Sequence, residues 1–190
     1  MTEKLIDTRT AILNIAKVLM HRLGYNAFSY SDISKELSIK NAAVHYHFPA
    51  KEDLLAAIIE TYIDEYITMG KQLKASNIKA DKKLAVFIER YACLIETNSI
   101  CIIGSIASDY NTLPESVKEK TRQLVQLVLG LVAHIIEEGR KNGELIFAET
   151  ARVKSLLMMT NLAAGVQLAR ITGGNDFKEI ANSIISSIKK

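Results

Sequence analysis

Prolines are almost absent from this sequence: only Pro49 and Pro114 occur among its 190 residues. Proline lacks a backbone donor and breaks helices, so long stretches of this chain are free to be helical. Alanine, leucine, isoleucine, lysine and glutamate dominate, and 48% of the residues are hydrophobic, which is enough to bury a core. The sequence therefore predicts an all-α fold of one or two small domains.

The sequence near the N-terminus contains clear signals for where helices start and stop. Apolar residues recur at helical spacing from about Thr8 to Leu23, and Gly24 then provides a natural helix stop. Ser29 is followed three residues later by Asp32, a pattern that resembles a capping box and predicts the start of a second helix. Two helices are thus expected before residue 38.

A third, short helix is expected from near Lys40 to Phe48, because the residue before a proline is disfavoured in a helix. The break at Ser38 separates it from the second helix. Ile39 lies in this turn and is predicted to act as a hydrophobic plug between the two helices. Such a short helix is marginal alone and must be held by its neighbours.

The rest of the chain is predicted to form a larger helical part. A long helix should run from Lys51 to about Lys74, since Glu52 and Asp53 suit the positive end of a helix dipole. Further helices are expected at about 80–96, 99–110, 114–142, 149–172 and 176–189. The predicted division is a small N-terminal domain at 1–50 and a larger helical domain at 51–190.

Charge and cysteine content limit the classes of protein to consider. The net charge is only +3, so composition alone does not indicate nucleic-acid binding. The sequence starts without a basic and then apolar leader and has no apolar run that could span a bilayer, so we expect a cytoplasmic protein and no membrane contact. Cys93 and Cys101 form no CxxC motif and are expected to be small buried residues, with a redox pair as the alternative.

The three N-terminal helices suit a helix-turn-helix, in which one helix braces and the next enters the major groove. The exposed face of the third helix would carry Lys40, Asn41, Ala42, His45 and Tyr46. Lysine and asparagine can bond to base edges, and a small alanine allows close approach to DNA.

Phosphate oxygens would be contacted by Tyr46 and Lys51, and by Ser29, Tyr30 and Ser31 at the start of the second helix. From the residues alone, DNA binding and an ordinary helical hairpin with a polar face are equally compatible with this pattern.

Residues 28–55 closely resemble the DNA-binding signature of the TetR (tetracycline-repressor-like) family. The most diagnostic part is Tyr46-His47-Phe48-Pro49-x-Lys51-Glu52-x-Leu54. Residues 12–16 and 23–25 also match the family's first helix. The resemblance implies a three-helix helix-turn-helix domain followed by a helical ligand-binding and dimerisation domain.

Three positions depart from the family pattern. Ser38 stands where glycine is usual, Lys40 where a capping serine or threonine is frequent, and His45 where a phenol is frequent. The first two suggest a slightly altered turn, and the third leaves open whether residue 45 contacts phosphate or a base.

The resemblance also implies a homodimer whose last two helices pair with their copies in a four-helix bundle. The segments 155–172 and 177–188 are apolar with few charges, as a dimer interface requires. The residues expected to carry the interface are Ala164, Leu168, Ile171, Ile180, Ile184 and Ile188.

The family's body usually holds an effector pocket, and apolar or aromatic residues with polar handles are candidates to line it. These are Tyr62, Tyr66, Phe87, Tyr91, Cys101, His134, Met158 and Asn161. The alternative is that they simply pack a core, and His134 in particular resembles a core histidine. His45-x-His47 lacks supporting ligands, so no metal or cofactor is expected.

The resemblance implies a repressor that binds a palindromic operator as a dimer and is released by a small, largely apolar effector. A DNA-binding regulator without a ligand and an activator remain alternatives. An enzyme is not expected, because the sequence shows no nucleophile–base pair and no phosphate-binding loop.

Overall fold

The computed structural model describes residues 7–189, and this part of the chain is built from helices. They are α1 (Thr8–Leu23), α2 (Tyr30–Glu36), α3 (Asn41–His47), α4 (Lys51–Ala75), α5 (Ala80–Glu96), α6 (Ile102–Ala107), α7 (Glu115–Lys141), α8 (Ala151–Thr172) and α9 (Gly174–Ser186). Leu145 and Lys189 form one isolated bridge, and residues 7–189 contain no strand. The predicted all-α fold is confirmed. Within the same range, every helix is too short or too polar to cross a lipid bilayer.

Helices α1 to α3 form a compact unit that we call the head. Its start and its second helix are capped as their sequences indicate. The Asp7 carboxylate accepts a bond from the Thr10 backbone N–H at 3.0 Å. Ser29 and Asp32 form the expected capping box, in which the Ser29 backbone N–H donates to the Asp32 carboxylate at 2.8 Å. Apolar side chains from all three helices fill its core, among them Ile12, Ile33 and Val44.

The turn between α2 and α3 requires a left-handed residue. Ser38 has φ of +52°, a region that L-residues other than glycine and asparagine seldom adopt. The Ile39 backbone N–H reaches back to the Ser34 carbonyl at 3.0 Å, and its side chain packs against the core. The altered turn expected at Ser38 is therefore a strained version of the usual one.

Ser38→Gly is expected to stabilise the protein by about 0.5 kcal/mol. It relieves ~1–2 kcal/mol of left-handed strain but frees the unfolded chain at a cost of ~0.4–1 kcal/mol. Urea denaturation followed by circular dichroism measures the difference. Ser38→Ala retains the strain and serves as the control, so equal midpoints for the two variants would contradict the assignment.

The other helices form the body, in which α4 packs mainly on α7 and links back to α1. Most helix limits agree with the predicted ones, but the helix predicted at 99–110 is wrong in extent. Only Ile102–Ala107 is α-helical, followed by a short 3-10 turn at Tyr110–Thr112. The reason is tertiary: the Ile100 backbone N–H donates to the His21 carbonyl, so residues before α6 are held in an extended connection.

The head and the body meet at the C-terminal end of α1. The Ile100 N–H lies 2.7 Å from the His21 carbonyl, and the Ser105 hydroxyl donates to the Met20 carbonyl at 3.3 Å. Both carbonyls belong to the last turn of α1, where intrahelical donors run out, although the Met20 carbonyl also accepts from the Gly24 N–H at 2.9 Å. These bonds join residues on both sides of the domain limit predicted after residue 50, and that limit stays a prediction.

Helix α8 carries an exposed apolar surface along one side. We call it the α8 strip, and its members are Val153, Leu157, Ala164, Leu168 and Ile171. Their spacing of three, four or seven residues places them on one helix face. Ile171 is 85% exposed and Leu168 52% exposed, which is unusual for such large apolar side chains. Ala164, Leu168 and Ile171 are thus available to a partner, as the sequence predicts.

The prediction was wrong for two of the α9 residues expected at the same interface. Ile184 and Ile188 are buried within the chain, and Ile180 is half-buried against the backbone of Gly165 on α8. Helix α9 has one apolar face, and this face is used to pack against α5 and α8. Its outer face carries small polar residues such as Asn182 and Ser183.

Candidate nucleic-acid interface and ligand cavity

The outer face of α3 is polar and open to solvent. Lys40, Asn41, Ala42, His45 and Tyr46 are all exposed, and Tyr46 is 83% exposed. Positions 41, 42, 45 and 46 share one side of the helix because they are one turn apart. Val44 on the opposite side is fully buried, which fixes the orientation of the helix.

Two hydroxyls at the start of α2 lie near the surface, as predicted. Ser29 and Ser31 are exposed, although the Ser29 hydroxyl is already bonded to the Asp32 carboxylate at 2.7 Å. Ser31 has no capping role and is free to meet a phosphate.

Tyr30 does not fit its predicted role as a phosphate contact. Its side chain is buried, and its ring lies edge-on to that of His45 with 4.7 Å between centroids. Its hydroxyl is inaccessible and has no hydrogen-bond partner within residues 7–189. Burial raises the pKa of this phenol. Tyr30 therefore lies under α3, where its ring packs against the ring of His45.

Lys51 is also turned inward. Its ammonium donates to the Phe28 carbonyl at 2.5 Å and lies over the rings of Phe28 and Tyr25, at 4.4 and 4.8 Å from their centroids. Burial lowers the pKa of Lys51, and the Asp109 carboxylate opposes this effect. This geometry does not support the phosphate contact predicted for Lys51. The side chain instead connects the start of α4 to the segment before α2.

Arg9 was not among the predicted contacts. It is exposed on α1, and its guanidinium lies 5.0 Å from the centroid of the Phe48 ring at the end of α3. The sequence around Arg9 does not indicate this contact, because only the packing of α1 beside the end of α3 brings Arg9 and Phe48 together.

A cavity of about 350 Å³ lies between the head and the body, bounded by α1, α4, α5 and the start of α6. It brings together Tyr62, Tyr66, Tyr91 and Cys101, four of the residues predicted to line an effector pocket. Phe87 is buried next to them, with its ring 5.7 Å from Tyr91 and 6.3 Å from Tyr66. It supports the wall of the cavity from behind.

Other predicted pocket residues lie elsewhere. Met158 and Asn161 line a separate groove between α8 and α9, and His134 is exposed on α7. The pocket prediction is wrong for His134, because the inward face of α7 is formed by apolar residues on either side of it. Cys101 is buried as expected, whereas Cys93 is exposed at the rim of the cavity. Within residues 7–189, no group of His, Cys, Asp and Glu side chains is placed to hold a metal.

A histidine from the head forms part of the cavity wall. The His21 Nδ1 atom is 2.5 Å from the Ile100 carbonyl, which can only accept, so we assign the proton to Nδ1. Its Nε2 atom then accepts from the Tyr62 hydroxyl. Burial lowers the pKa of His21, in agreement with a neutral ring. The ring connects α1 of the head with α4 and with the segment before α6.

Three charged side chains close the same cavity. The Glu65 carboxylate accepts from Lys17 at 2.7 Å and from Arg90 at 2.8 Å. Burial raises the pKa of Glu65, but the bonds from Lys17 and Arg90 outweigh it and hold that pKa below its usual value. We call these residues the charge triad. It joins α1 of the head to α4 and α5 of the body.

Comparison with known proteins gives consistent results. Residues 12–58 match the sequence family described as bacterial regulatory proteins, tetR family. A TetR-family transcriptional regulator from Agrobacterium tumefaciens has a crystal structure similar to this one, with a TM-score of 0.89 and 29% identity over 96% of this chain and 97% of that chain.

Two curated relatives extend the comparison. The transcriptional repressor NemR of Escherichia coli is 23% identical over 184 residues, which cover 94% of this chain and 90% of that protein. The regulator YuxN of Bacillus subtilis is 31% identical over 85 residues, which cover 45% of this chain but only 28% of YuxN. The family match thus lies within residues 12–58, whereas the similarity to NemR extends over most of the chain.

Proposed function

Because the chain belongs to the tetR family of bacterial regulatory proteins, we propose that it is a dimeric repressor released from operator DNA by a small molecule. The chain is a DNA-binding transcriptional regulator, and its relatives are regulators of the same kind. The observation that carries the proposal is the direct connection, through α1, between the exposed face of α3 and the cavity in the body.

In this proposal α3 lies in the major groove. Asn41 and Lys40 bond to base edges, and Ala42 lets the helix approach closely. Tyr46, Ser29 and Ser31 bond to phosphate oxygens, which position the head without reading sequence. Their exposure supports these roles.

Two heads are needed for a palindromic operator, and the α8 strip supplies the surface for pairing. A twofold axis would bring each strip against its own copy. Large apolar side chains exposed in one continuous stripe are typical of an interface rather than of a monomer surface. The groove between α8 and α9, with Met158 and Asn161, lies beside this surface.

Release would follow from the way the cavity is built. His21 and Lys17 lie on α1, so a ligand that moves either side chain also acts on the helix that supports α2 and α3. A ligand can shift the equilibrium only by its preference for the non-DNA-binding state, and ~1–3 kcal/mol is usual for such coupling.

DNA binding is tested by selecting duplexes from a randomised pool and measuring affinity by fluorescence anisotropy. We expect a palindromic consensus and an affinity that falls steeply with salt, with a log–log slope of about −0.9 for each neutralised phosphate. Asn41→Ala should relax base preference at one position per half-site by about 1–3 kcal/mol.

Asn77→Ala is the matched control, because Asn77 is an exposed asparagine in the loop between α4 and α5. It should leave both affinity and consensus unchanged. A salt-independent isotherm, or an unaltered consensus for Asn41→Ala, would remove α3 from the interface. A gene that loses expression when the regulator is deleted would instead favour an activator.

A further inference from the structure

The cavity between head and body is charged at its mouth and apolar along part of its wall. Lys17, Glu65 and Arg90 stand at the mouth, whereas Leu94, Ile102 and Ile103 belong to the wall. A second pocket of about 220 Å³ shares Tyr91, Cys101 and Ile103 with the first and is lined mainly by apolar side chains of α7 and α8. A ligand that fills both would have an apolar body and one polar end.

Positive charge exceeds negative charge at the mouth. Two cations, Lys17 and Arg90, share the single carboxylate of Glu65. The imidazole of His21, which also lines the cavity, is neutral. Arg90 has five N–H donors and Lys17 has three, so one carboxylate leaves donors of both unused. The charge triad therefore retains a net charge of +1, and its two cations line one cavity.

The tyrosines do not form a free cage for a cationic ligand. The Lys17 ammonium lies 4.6 Å from the centroid of the Tyr62 ring, and the Arg90 guanidinium lies 5.0 Å from that of Tyr66. Both aromatic faces are thus already occupied by cations of the protein. An ammonium ligand would have to enter beside two like charges.

The hydroxyls of the cavity add further donors. Burial raises the pKa of Tyr66 and, more strongly, that of Tyr91, so both phenols are protonated at neutral pH. A protonated phenol can donate to an anionic acceptor. Tyr62 is already engaged, since its hydroxyl donates to His21.

We propose that the effector is a compact apolar or aromatic carboxylic acid, whose carboxylate binds Lys17 and Arg90 in competition with Glu65. The inference rests on the proposed function in that it treats this cavity as the effector site. Its apolar body enters the neighbouring pocket, which shares Tyr91, Cys101 and Ile103 with the cavity. Glu65 is 39% exposed at its side chain and can turn to solvent when the ligand takes its partners.

This competition gives the ligand a direct effect on the head. Lys17 lies on α1, whereas Arg90 and Glu65 lie on α5 and α4. Glu65 holds α1 against α4 through its bond with Lys17. A ligand that replaces Glu65 breaks this connection and makes a new one from α1 to α5.

The test is isothermal titration of the full chain with hexanoate, octanoate, benzoate and 3-phenylpropanoate, each beside its primary amide and its primary amine. We expect at least one acid to bind at least about tenfold more tightly than its amide, because the carboxylate is an anionic acceptor for Lys17 and Arg90 whereas the amide oxygen is a neutral one. The matching amine should bind more weakly still.

Variants of the charge triad separate this proposal from simple apolar binding. Arg90→Gln should weaken the acid by at least about tenfold and leave the amide unchanged. Arg140→Gln is the matched control, because Arg140 is likewise paired with a glutamate, Glu137, and stacked on the Phe147 ring at 4.8 Å. Glu65→Gln should bind the acid more tightly, since it removes the competing carboxylate.

Several results would overturn the proposal. These are equal binding of acid and amide, tighter binding of an amine, no binding of any acid, or weaker acid binding by Glu65→Gln. Operator binding is measured separately by anisotropy. If an acid binds as expected and the operator is not released, the ligand class stands and the repressor mechanism fails.

Discussion

Gly139→Ala should lower the free energy of unfolding by about 1–2 kcal/mol, although alanine is the better helix former. A Cβ at this position would lie 2.5 Å from the Ala80 Cβ and 2.6 Å from a Leu145 methyl. The Ala80 Cβ is fixed to the backbone of α5, so it cannot turn away. Overpacking costs ~1–3 kcal/mol or more, whereas the helix propensity returns only ~1 kcal/mol, so the clash dominates.

Gly130→Ala on the same helix provides the control. No heavy atom lies within 4 Å of the Cβ that it would add. It should raise the free energy of unfolding by about 1 kcal/mol, the propensity gain alone. Urea denaturation of both variants at one protein concentration measures the difference. Equal midpoints for the two would show that α5 and the turn after α7 do not pack as described.

The double variant Leu157→Lys/Leu168→Lys should be a monomer that has lost tight operator binding. Both side chains belong to the α8 strip and are about half exposed in the single chain, so the fold should be retained. In the dimer, however, like charges would be buried across the twofold axis without partners. Loss of the second head removes an avidity of about 10²–10⁴.

Sedimentation velocity gives the oligomeric state, and circular dichroism verifies the helix content. The control is Val86→Lys/Ile146→Lys, since these two large apolar residues are similarly exposed but lie on α5 and on the segment after α7. The control should remain dimeric. If the α8 variant also sedimented as a dimer, the interface would lie on another surface.

Local signals in the sequence were sufficient to predict where most helices begin and end, but not which helices pack together. Gly24 and the Phe48-Pro49 pair correctly indicated where α1 and α3 end, because backbone conformation at these residues depends on the residues themselves. Helix α6 was predicted too long, because its limits depend on a bond between Ile100 and α1 that periodicity does not reveal.

The same distinction applies to the site residues. Exposure of Asn41 and Tyr46 follows from helical spacing around the buried Val44, so it could be predicted. The inward position of Tyr30 and Lys51 could not, since each is held by a group that lies more than ten residues away.

The charge triad shows most clearly what could not be predicted from the sequence. Lys17, Glu65 and Arg90 are separated by 48 and 25 residues along the chain. Each appears in the sequence as an ordinary charge on the surface of a helix. Their meeting at one cavity depends on how α1, α4 and α5 pack, and no short motif encodes that packing.

The bonds at the end of α1 also bear on how regulators of this kind can be recombined. A chimaera that joined residues 1–50 to the body of another regulator would keep these bonds only if that body placed a backbone N–H opposite the His21 carbonyl and a hydroxyl opposite the Met20 carbonyl. A hybrid without these bonds could bind the same DNA and still fail to release it when its new body binds a ligand. Exchange of specificity should therefore succeed only when the segment at 98–105 is transferred together with the head.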